Sequence, residues 1–139
     1  MGRVLGVDLG SRRIGFALSD PERIIASAYK VEVCQDDGHV RNTIIKVFRE
    51  SGAEEIVLGY PLNMDGTKGP AAERAELFQA KLKEKLNVPV ILCDERLTTK
   101  SAHDALLEAG MIRKKHMRVV DKVAAQMILQ QYLDSNPCV

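Results

Sequence analysis

Tryptophan is absent from this 139-residue chain, and aromatic residues make up only 4% of it. Aliphatic side chains must therefore form most of the core. Hydrophobic residues amount to 45% in total, which is enough for a chain of this length to fold and excludes intrinsic disorder. We expect residues 1–139 to form a single domain.

The chain also lacks an excess of charge of one sign, because 20 Lys and Arg residues nearly balance 19 Asp and Glu residues. Binding of a polyanion would therefore depend on local clusters of basic residues. No apolar run is long enough to span a bilayer, and the start of the chain lacks the pattern of a signal peptide. We expect a cytoplasmic protein that does not contact membranes.

Cysteine is scarce, and Cys34, Cys93 and Cys138 form no C-x-x-C pair. Their odd number and spacing predict neither a disulfide framework nor a zinc site. Cys93 lies in an apolar run, where a free thiol behaves as a small hydrophobic group. A reducing compartment agrees with this pattern.

The order of hydrophobic patterns predicts an α/β fold with a mixed five-stranded sheet flanked by helices. A glycine-containing turn joins the first two short apolar runs and indicates an antiparallel hairpin, with parallel strands later in the chain. The predicted strands are at about 3–9, 14–18, 24–33, 55–60 and 88–93. The predicted helices are at about 40–48, 70–86, 98–110 and 120–133. Flavodoxin-like domains share much of this alternation, so it does not name the fold.

Three acidic residues from distant parts of the chain lie within or close to apolar runs: Asp8, Glu95 and Asp121. Asp8 interrupts the first strand, Glu95 follows the end of a later strand, and Asp121 lies near the predicted start of the last helix. Burial of a carboxylate is costly unless it is paired or bound to a metal. Carboxylate oxygens suit Mg²⁺ or Mn²⁺, and two such ions promote in-line displacement at phosphorus.

Each of these acids also has a purely structural interpretation. Asp8 could end its strand and bond to the following turn. Glu95 could pair with Arg96 or Lys100 at the surface, and Asp121 could be the N-cap of the last helix. The occurrence of all three together favours a shared site.

The segment from Val7 to Gly15, which contains Asp8 and the first turn, resembles the phosphate loop of actin-like and sugar-kinase ATPases. Those enzymes enclose the nucleotide between two domains, which 139 residues do not supply. We expect the turn to shape the hairpin, with a phosphate contact as a secondary role.

Several polar residues near the acids are candidates for contact with a substrate. The alternatives are an ordinary turn at 61–69 and a solvated basic loop, which the sequence predicts at 113–118. In the functional interpretation, backbone N–H groups of 61–69 bind a phosphate, and the basic loop beside Asp121 holds a nucleic-acid backbone. The candidates are Arg12, Arg13, Asn63, Asp65, Arg96, Lys114 and Lys115.

Four segments resemble the successive signature segments of the YqgF (RuvX) family: VLGVDLGSRRIGFALSD, IVLGYPLNMDGTKG, CDERLTTKSA and VDKVAAQMILQQYL. They occur in the family's order and cover nearly the whole chain. The family comprises bacterial proteins of RNase H-like fold, described as candidate pre-16S ribosomal RNA nucleases and, earlier, as candidate Holliday junction resolvases. Tyr60 is a small departure, because the residue before Pro61 is often aliphatic in the family.

The resemblance implies a metal-dependent endonuclease with Asp8, Glu95 and Asp121 as catalytic residues and as ligands of two Mg²⁺ or Mn²⁺ ions. Asp8 would bridge both ions, and Asp94 would assist from outside the ligand set. The implied substrate is structured RNA, namely the 5′ end of pre-16S ribosomal RNA during ribosome biogenesis. A resolvase of four-way DNA junctions and a catalytically silent RNA-binding assembly factor remain as alternatives. We expect a monomer or weak homodimer, because no extra apolar stripe indicates a stable dimer.

Overall fold

The computed structural model describes residues 2–63, 65–94 and 113–135, with residues 113–122 described by their backbone alone. The strands are β1 Val4–Leu9, β2 Arg13–Ser19, β3 Ala26–Val33, β4 Glu55–Tyr60 and β5 Val90–Asp94. The described helices are α1 Asp37–Ser51, α2 Pro70–Leu86 and α3 Arg113–Ser135. The helix predicted at about 98–110 lies outside the described residues. Within the described ranges, no helix has both the length and the apolarity that crossing a membrane requires.

The five strands form one sheet in the order β3-β2-β1-β4-β5. The pairs β1–β2 and β2–β3 are antiparallel, whereas β1–β4 and β4–β5 are parallel. The predicted mixed sheet, with its hairpin strands first, is confirmed. The parallel strands β1, β4 and β5 end together at one side of the sheet, which we call the carboxyl edge. Open α/β sheets bind their ligands at this edge.

Helices cover both faces of the sheet, because side chains alternate between the faces along each strand. Helices α1 and α2 pack on the first face through a core that includes Leu5, Val7 and Phe16. Helix α3 packs on the second face, over Val4 and Val57 among others. We call these the α1–α2 face and the α3 face.

Helix α3 approaches the central strand closely at Gly6. A Cβ atom on Gly6 would lie 2.8 Å from Cβ of Leu129 and 3.3 Å from the carbonyl oxygen of Ala125. The first of these distances is too short for two carbon atoms, so any larger residue would push the helix away from the strand. Glycine at this position therefore sets the separation between α3 and β1.

The beginning of α3 differs from the sequence prediction. Residues 113–118 were predicted as a basic loop, but they form the first turns of α3, and the start predicted near Val120 is therefore wrong. Arg, Lys and Met are good helix formers, and no Gly or Pro interrupts 113–135. The apolar pattern does not extend into these turns, because Met117 is their one apolar residue. Asp121 lies inside the helix, so its interpretation as an N-cap is also wrong.

Glu55 is buried at the edge of the sheet opposite the carboxyl edge. Its carboxylate accepts a hydrogen bond from the Tyr132 hydroxyl at 2.9 Å and lies 3.5 Å from Nη1 of Arg23. The bond to Tyr132 ties the C-terminal part of α3 to the start of β4. Burial, together with the bond to Glu55, raises the pKa of Tyr132 to about 12.

Tyr132→Phe should lower the free energy of unfolding by about 1 kcal/mol at neutral pH, because it removes one hydrogen bond. The folded protein keeps a proton that the unfolded chain releases near the usual pKa of 10.0. Wild type should therefore lose further stability as the pH rises from 10.0 to about 12, and the Phe variant should not. Urea unfolding at several pH values tests this, with Tyr29→Phe on β3 as the control. If the free energy of unfolding depends on pH in the same way for wild type and Tyr132→Phe, this prediction is wrong.

Candidate active site

Asp8 lies near the end of β1, at the carboxyl edge, and is half-buried. Strand alternation places it on the α3 face, together with Val4 and Gly6. Its partner on the neighbouring strand β2 is Gly15, which has no side chain. Because Gly15 has no side chain, β2 leaves space beside the side chain of Asp8.

The backbone of α3 places position 121 towards the carboxyl edge, where Asp8 lies. The helix runs antiparallel to β1, since Tyr132 bonds to the start of β4. Gly6 packs against Leu129 and the backbone of Ala125. Asp8 lies two residues beyond Gly6 towards the carboxyl edge, and position 121 lies one helical turn beyond Ala125 in the same direction. Asp8 and position 121 are therefore both on the carboxyl-edge side of this contact, on the same face of the sheet.

Asp94 is the last residue of β5 and also lies at the carboxyl edge. Its place in the strand, two residues after Leu92, puts it on the α1–α2 face, opposite to Asp8. Two strand spacings, about 10 Å, separate β1 from β5. The Asp94 carbonyl accepts a hydrogen bond from Gln131 at 3.3 Å. This placement does not favour Asp94 as a second ligand for an ion held by Asp8.

Of the three acids predicted as metal ligands, Asp8 is the one whose side chain the structure describes. Glu95 lies outside the described residues, and Asp121 is described by its backbone alone. Among the residues whose side chains are described, no group of three His, Cys, Asp or Glu residues could hold a metal ion. The carboxylate of Asp8 is a hard oxygen donor at the end of a central strand, beside a glycine, and fits the requirements of Mg²⁺.

The turn after Asp8 is held by several backbone hydrogen bonds. The Gly10 N–H donates to the carbonyls of Asp8 at 3.2 Å and Arg13 at 3.1 Å, and the Cys34 N–H donates to the Arg12 carbonyl at 2.7 Å. A Cβ atom on Gly10 would collide with the Arg13 carbonyl, so the turn requires glycine. Arg12 is exposed, and Arg13 begins β2 on the α3 face. Both arginines predicted to contact substrate therefore lie next to Asp8.

Arg74, which the sequence did not indicate, bonds directly to this turn. Its Nη1 donates to the Gly10 carbonyl at 2.9 Å. Its Nε and Nη2 donate to Oδ1 of Asp37 at 3.1 and 3.0 Å. The guanidinium also lies over the ring of Phe78, 5.3 Å from the centroid. Arg74, in the second turn of α2, joins this helix to the start of α1 and to the hairpin. Nothing in the sequence around Arg74 indicates these contacts.

The loop at 61–69 is closed by its own side chains. Nδ2 of Asn63 donates to the Thr67 hydroxyl at 2.9 Å. Oδ1 of Asp65 accepts from the backbone N–H and the hydroxyl of Thr67 at 2.9 and 2.6 Å. Gly66 has a φ of 86°, which favours glycine. These bonds are the turn chemistry that the sequence predicted, and the substrate contact of Asn63 and Asp65 stays a prediction.

Tyr60, the departure from the family pattern, belongs to a small cluster beside this loop. Its hydroxyl donates to Oε2 of Glu76 at 2.8 Å, and Nζ of Lys68 lies 2.8 Å from the same oxygen. The bond to Glu76 raises the pKa of Tyr60 and that of Lys68, and the bonds from Lys68 and Tyr60 lower the pKa of Glu76. The cluster connects the end of β4 and the loop to α2.

The remaining candidates lie in the less described part of the chain. Arg96 lies outside the described residues. Lys114 and Lys115 are in the first turn of α3, where the structure describes the backbone. Adjacent positions on a helix are about 100° apart around its axis. The two positions therefore differ by about 100° around the helix and do not belong to a loop.

Comparison with known proteins identifies the family. The sequence profile of the RuvX family, described as "Holliday junction resolvase", matches residues 2–135. The chain belongs to the RuvX family. Relatives of this RuvX chain that are named "Putative pre-16S rRNA nuclease" occur in Geobacillus thermodenitrificans and Listeria monocytogenes. The first is 44% identical over 135 residues and the second 41% over 137, each match covering 96% of this chain and 98% of the relative.

Solved structures of resolvases share the fold of this RuvX chain. RuvC from T. thermophilus, in complex with a Holliday junction substrate, aligns with a TM-score of 0.59 at 16% identity, over 98% of this chain and 97% of that one. The fowlpox virus Holliday junction resolvase aligns with a TM-score of 0.61 at 13% identity, over 96% and 98% of the two chains. At these identities the similarity concerns the fold alone. The predicted RNase H-like fold is confirmed.

Proposed function

We propose that this chain is a metal-dependent endonuclease that hydrolyses phosphodiester bonds in structured RNA. Its proposed substrate is pre-16S ribosomal RNA, processed at the 5′ end during ribosome biogenesis in the cytoplasm. The observation that carries the proposal is the position of Asp8 at the carboxyl edge, on the face of the sheet that α3 covers and towards which position 121 of that helix lies. The family and the names of its curated relatives support the activity and the substrate.

Asp8, Glu95 and Asp121 are the proposed catalytic residues and the ligands of two Mg²⁺ or Mn²⁺ ions. Asp121 is supported by its place one helical turn before Ala125, which packs on Gly6. Glu95 lies outside the described residues and is proposed from the family resemblance, and it is favoured over Asp94 because Asp94 lies on the face of the sheet opposite to Asp8. When bound, such ions activate water and stabilise the leaving oxygen.

The basic residues beside Asp8 are proposed to hold the nucleic-acid backbone. A guanidinium can bond to a phosphate through two N–H groups at once, which orients the strand as well as binding it. Arg13 on the α3 face and the exposed Arg12 are the nearest candidates. Arg96, Lys114 and Lys115 are proposed to contact phosphates further along the strand.

The decisive experiment offers the purified protein a panel of labelled substrates with Mg²⁺ or Mn²⁺. The panel contains a pre-16S 5′ leader, an unrelated structured RNA, RNA and DNA duplexes, and a four-way DNA junction. We expect cleavage of the leader that EDTA abolishes. Symmetric cuts in the junction, together with a stable two-fold dimer in light scattering, would favour a resolvase instead. RNA binding without cleavage at any metal concentration would favour an assembly factor.

Replacing Lys114 and Lys115 by Ala should flatten the salt dependence of RNA binding. Each lost phosphate contact lowers the slope of log affinity against log salt by about 0.7 on single strands and about 0.9 on duplexes. Phosphate contacts carry no sequence information, so all RNAs should bind more weakly to the same extent. Filter binding at several salt concentrations measures this.

The matched control replaces Lys81 and Lys83, which are exposed on α2, because it removes the same charge from the other side of the sheet. The control should keep the wild-type slope. An unchanged slope after the loss of Lys114 and Lys115 would mean that these two lysines do not contact the RNA.

A further inference from the structure

We propose that Arg74 is a positioning residue, which holds the turn after Asp8 and thereby orients the first metal ligand. The inference rests on the proposed function, because Asp8 is a ligand only there. Arg74 reaches the turn through the backbone of Gly10 and is not proposed to touch the substrate.

The guanidinium of Arg74 is fixed by contacts on several sides. It donates to the Gly10 carbonyl at 2.9 Å and doubly to Oδ1 of Asp37, and it lies over the ring of Phe78. Its side chain is 22% exposed, whereas that of Asp37 is 59% exposed. A charge-assisted bond from a partly shielded guanidinium is stronger than a bond between neutral groups. The Gly10 carbonyl is therefore held firmly.

The Gly10 residue transmits this restraint to Asp8. Its N–H bonds to the carbonyls of Asp8 and Arg13, so both polar groups of its backbone have partners. Without Arg74, the Gly10 carbonyl would lose its described partner, and only the backbone hydrogen bonds would hold the turn. Groups that orient metal ligands in this indirect way typically change metal affinity or activity by about 10–100-fold.

The alternative role for Arg74 is a structural link between α1 and α2 through Asp37. Asp37→Asn separates the two roles, because it weakens the ion pair and leaves the bond to Gly10 in place. An ion pair with so exposed a carboxylate contributes little to stability. Asp37→Asn should therefore keep wild-type metal affinity within about twofold.

The experiment compares wild type with Arg74→Gln, Arg74→Lys and Asp37→Asn. Three properties are measured: Mn²⁺ affinity without RNA, exchange of the Gly10 amide proton in metal-free protein, and the thermal midpoint. Arg74→Gln should weaken Mn²⁺ binding by about 10–100-fold and speed the exchange of the Gly10 amide. In cleavage assays its kcat should fall while KM for RNA stays close to wild type. Arg74→Lys keeps the charge but reaches fewer acceptors, so it should show the same changes to a smaller extent.

Unchanged Mn²⁺ affinity and Gly10 exchange in Arg74→Gln would overturn the proposal and leave a structural link. If Arg74→Gln is too unstable to measure, the same comparison between Arg74→Lys and Asp37→Asn decides. If wild type itself binds no Mn²⁺, the proposed function fails and Arg74 orients no metal ligand. The exchange of the Gly10 amide then still shows separately whether Arg74 holds the turn.

Discussion

Asp8→Asn should reduce metal-dependent cleavage by more than about a hundredfold, since loss of a ligand costs more than loss of a group that orients it. Asparagine has nearly the same shape as aspartate, but it lacks the negative charge that two divalent ions require. The fold should be retained, and the metal-free protein should gain stability because repulsion between the proposed carboxylate ligands is relieved. Cleavage rates, Mn²⁺ affinity and the thermal midpoint in EDTA measure these effects.

Asp94→Asn is the matched comparison, because it makes the same change at the same edge of the sheet but on the α1–α2 face. It should cost at most about tenfold in activity, as expected for a residue outside the ligand set. Full activity in Asp8→Asn, with wild type inhibited by EDTA in parallel, would remove Asp8 from the site. A larger loss in Asp94→Asn than in Asp8→Asn would exchange their roles.

Asp121→Asn and Asp121→Ala should both abolish most of the cleavage, and neither should lower thermal stability. Position 121 lies eight residues after Arg113, where α3 begins, so neither change removes an N-cap. In a helix interior alanine is favoured over aspartate by about half a kcal/mol, which makes the Ala variant as stable as wild type or more so. Thermal melting in EDTA and cleavage with Mn²⁺ test the two parts separately.

Asp36→Ala serves as the control for a real N-cap. The Asp36 side chain accepts a hydrogen bond from the His39 N–H at 2.8 Å at the start of α1. Its loss should cost about 1 kcal/mol of stability without abolishing cleavage. If Asp121→Asn stays active while Asp121→Ala is destabilised like Asp36→Ala, then Asp121 is structural and the ligand set needs another member.

The parts of the fold that depend on local chemistry could be predicted from the sequence. The hairpin followed from the turn at Gly10, where a Cβ atom would collide with the Arg13 carbonyl and larger residues are excluded. Pro70 at the first position of α2 marked that helix, because the missing N–H of proline has no cost there. The compact apolar runs of β4 and β5 indicated parallel strands, which is confirmed, but the central position that the sequence favoured for β5 is wrong, because β5 lies at the edge of the described sheet.

Contacts between distant segments could not be predicted in the same way. Arg74 and Asp37 are separated by 37 residues, and each alone is an ordinary charged residue near the start of a helix. The start of α3 was misplaced for a different reason, because its first turns are basic and lack the apolar stripe that marks a buried helix. The sequence therefore placed Asp121 correctly in the last helix but wrongly at its start, whereas the structure has it in the interior of α3.

The packing of α3 on the sheet also sets when a chain in synthesis can become a nuclease. The backbone of Ala26 bonds to the side chain of Gln130, 104 residues later, so the ribosome makes β3 long before the helix that packs on it. Until α3 emerges, Val4, Ala17 and Val57 lack their partners from that helix. A nascent chain therefore holds Asp8 without Asp121, and the proposed site stays incomplete until the last helix has left the ribosome.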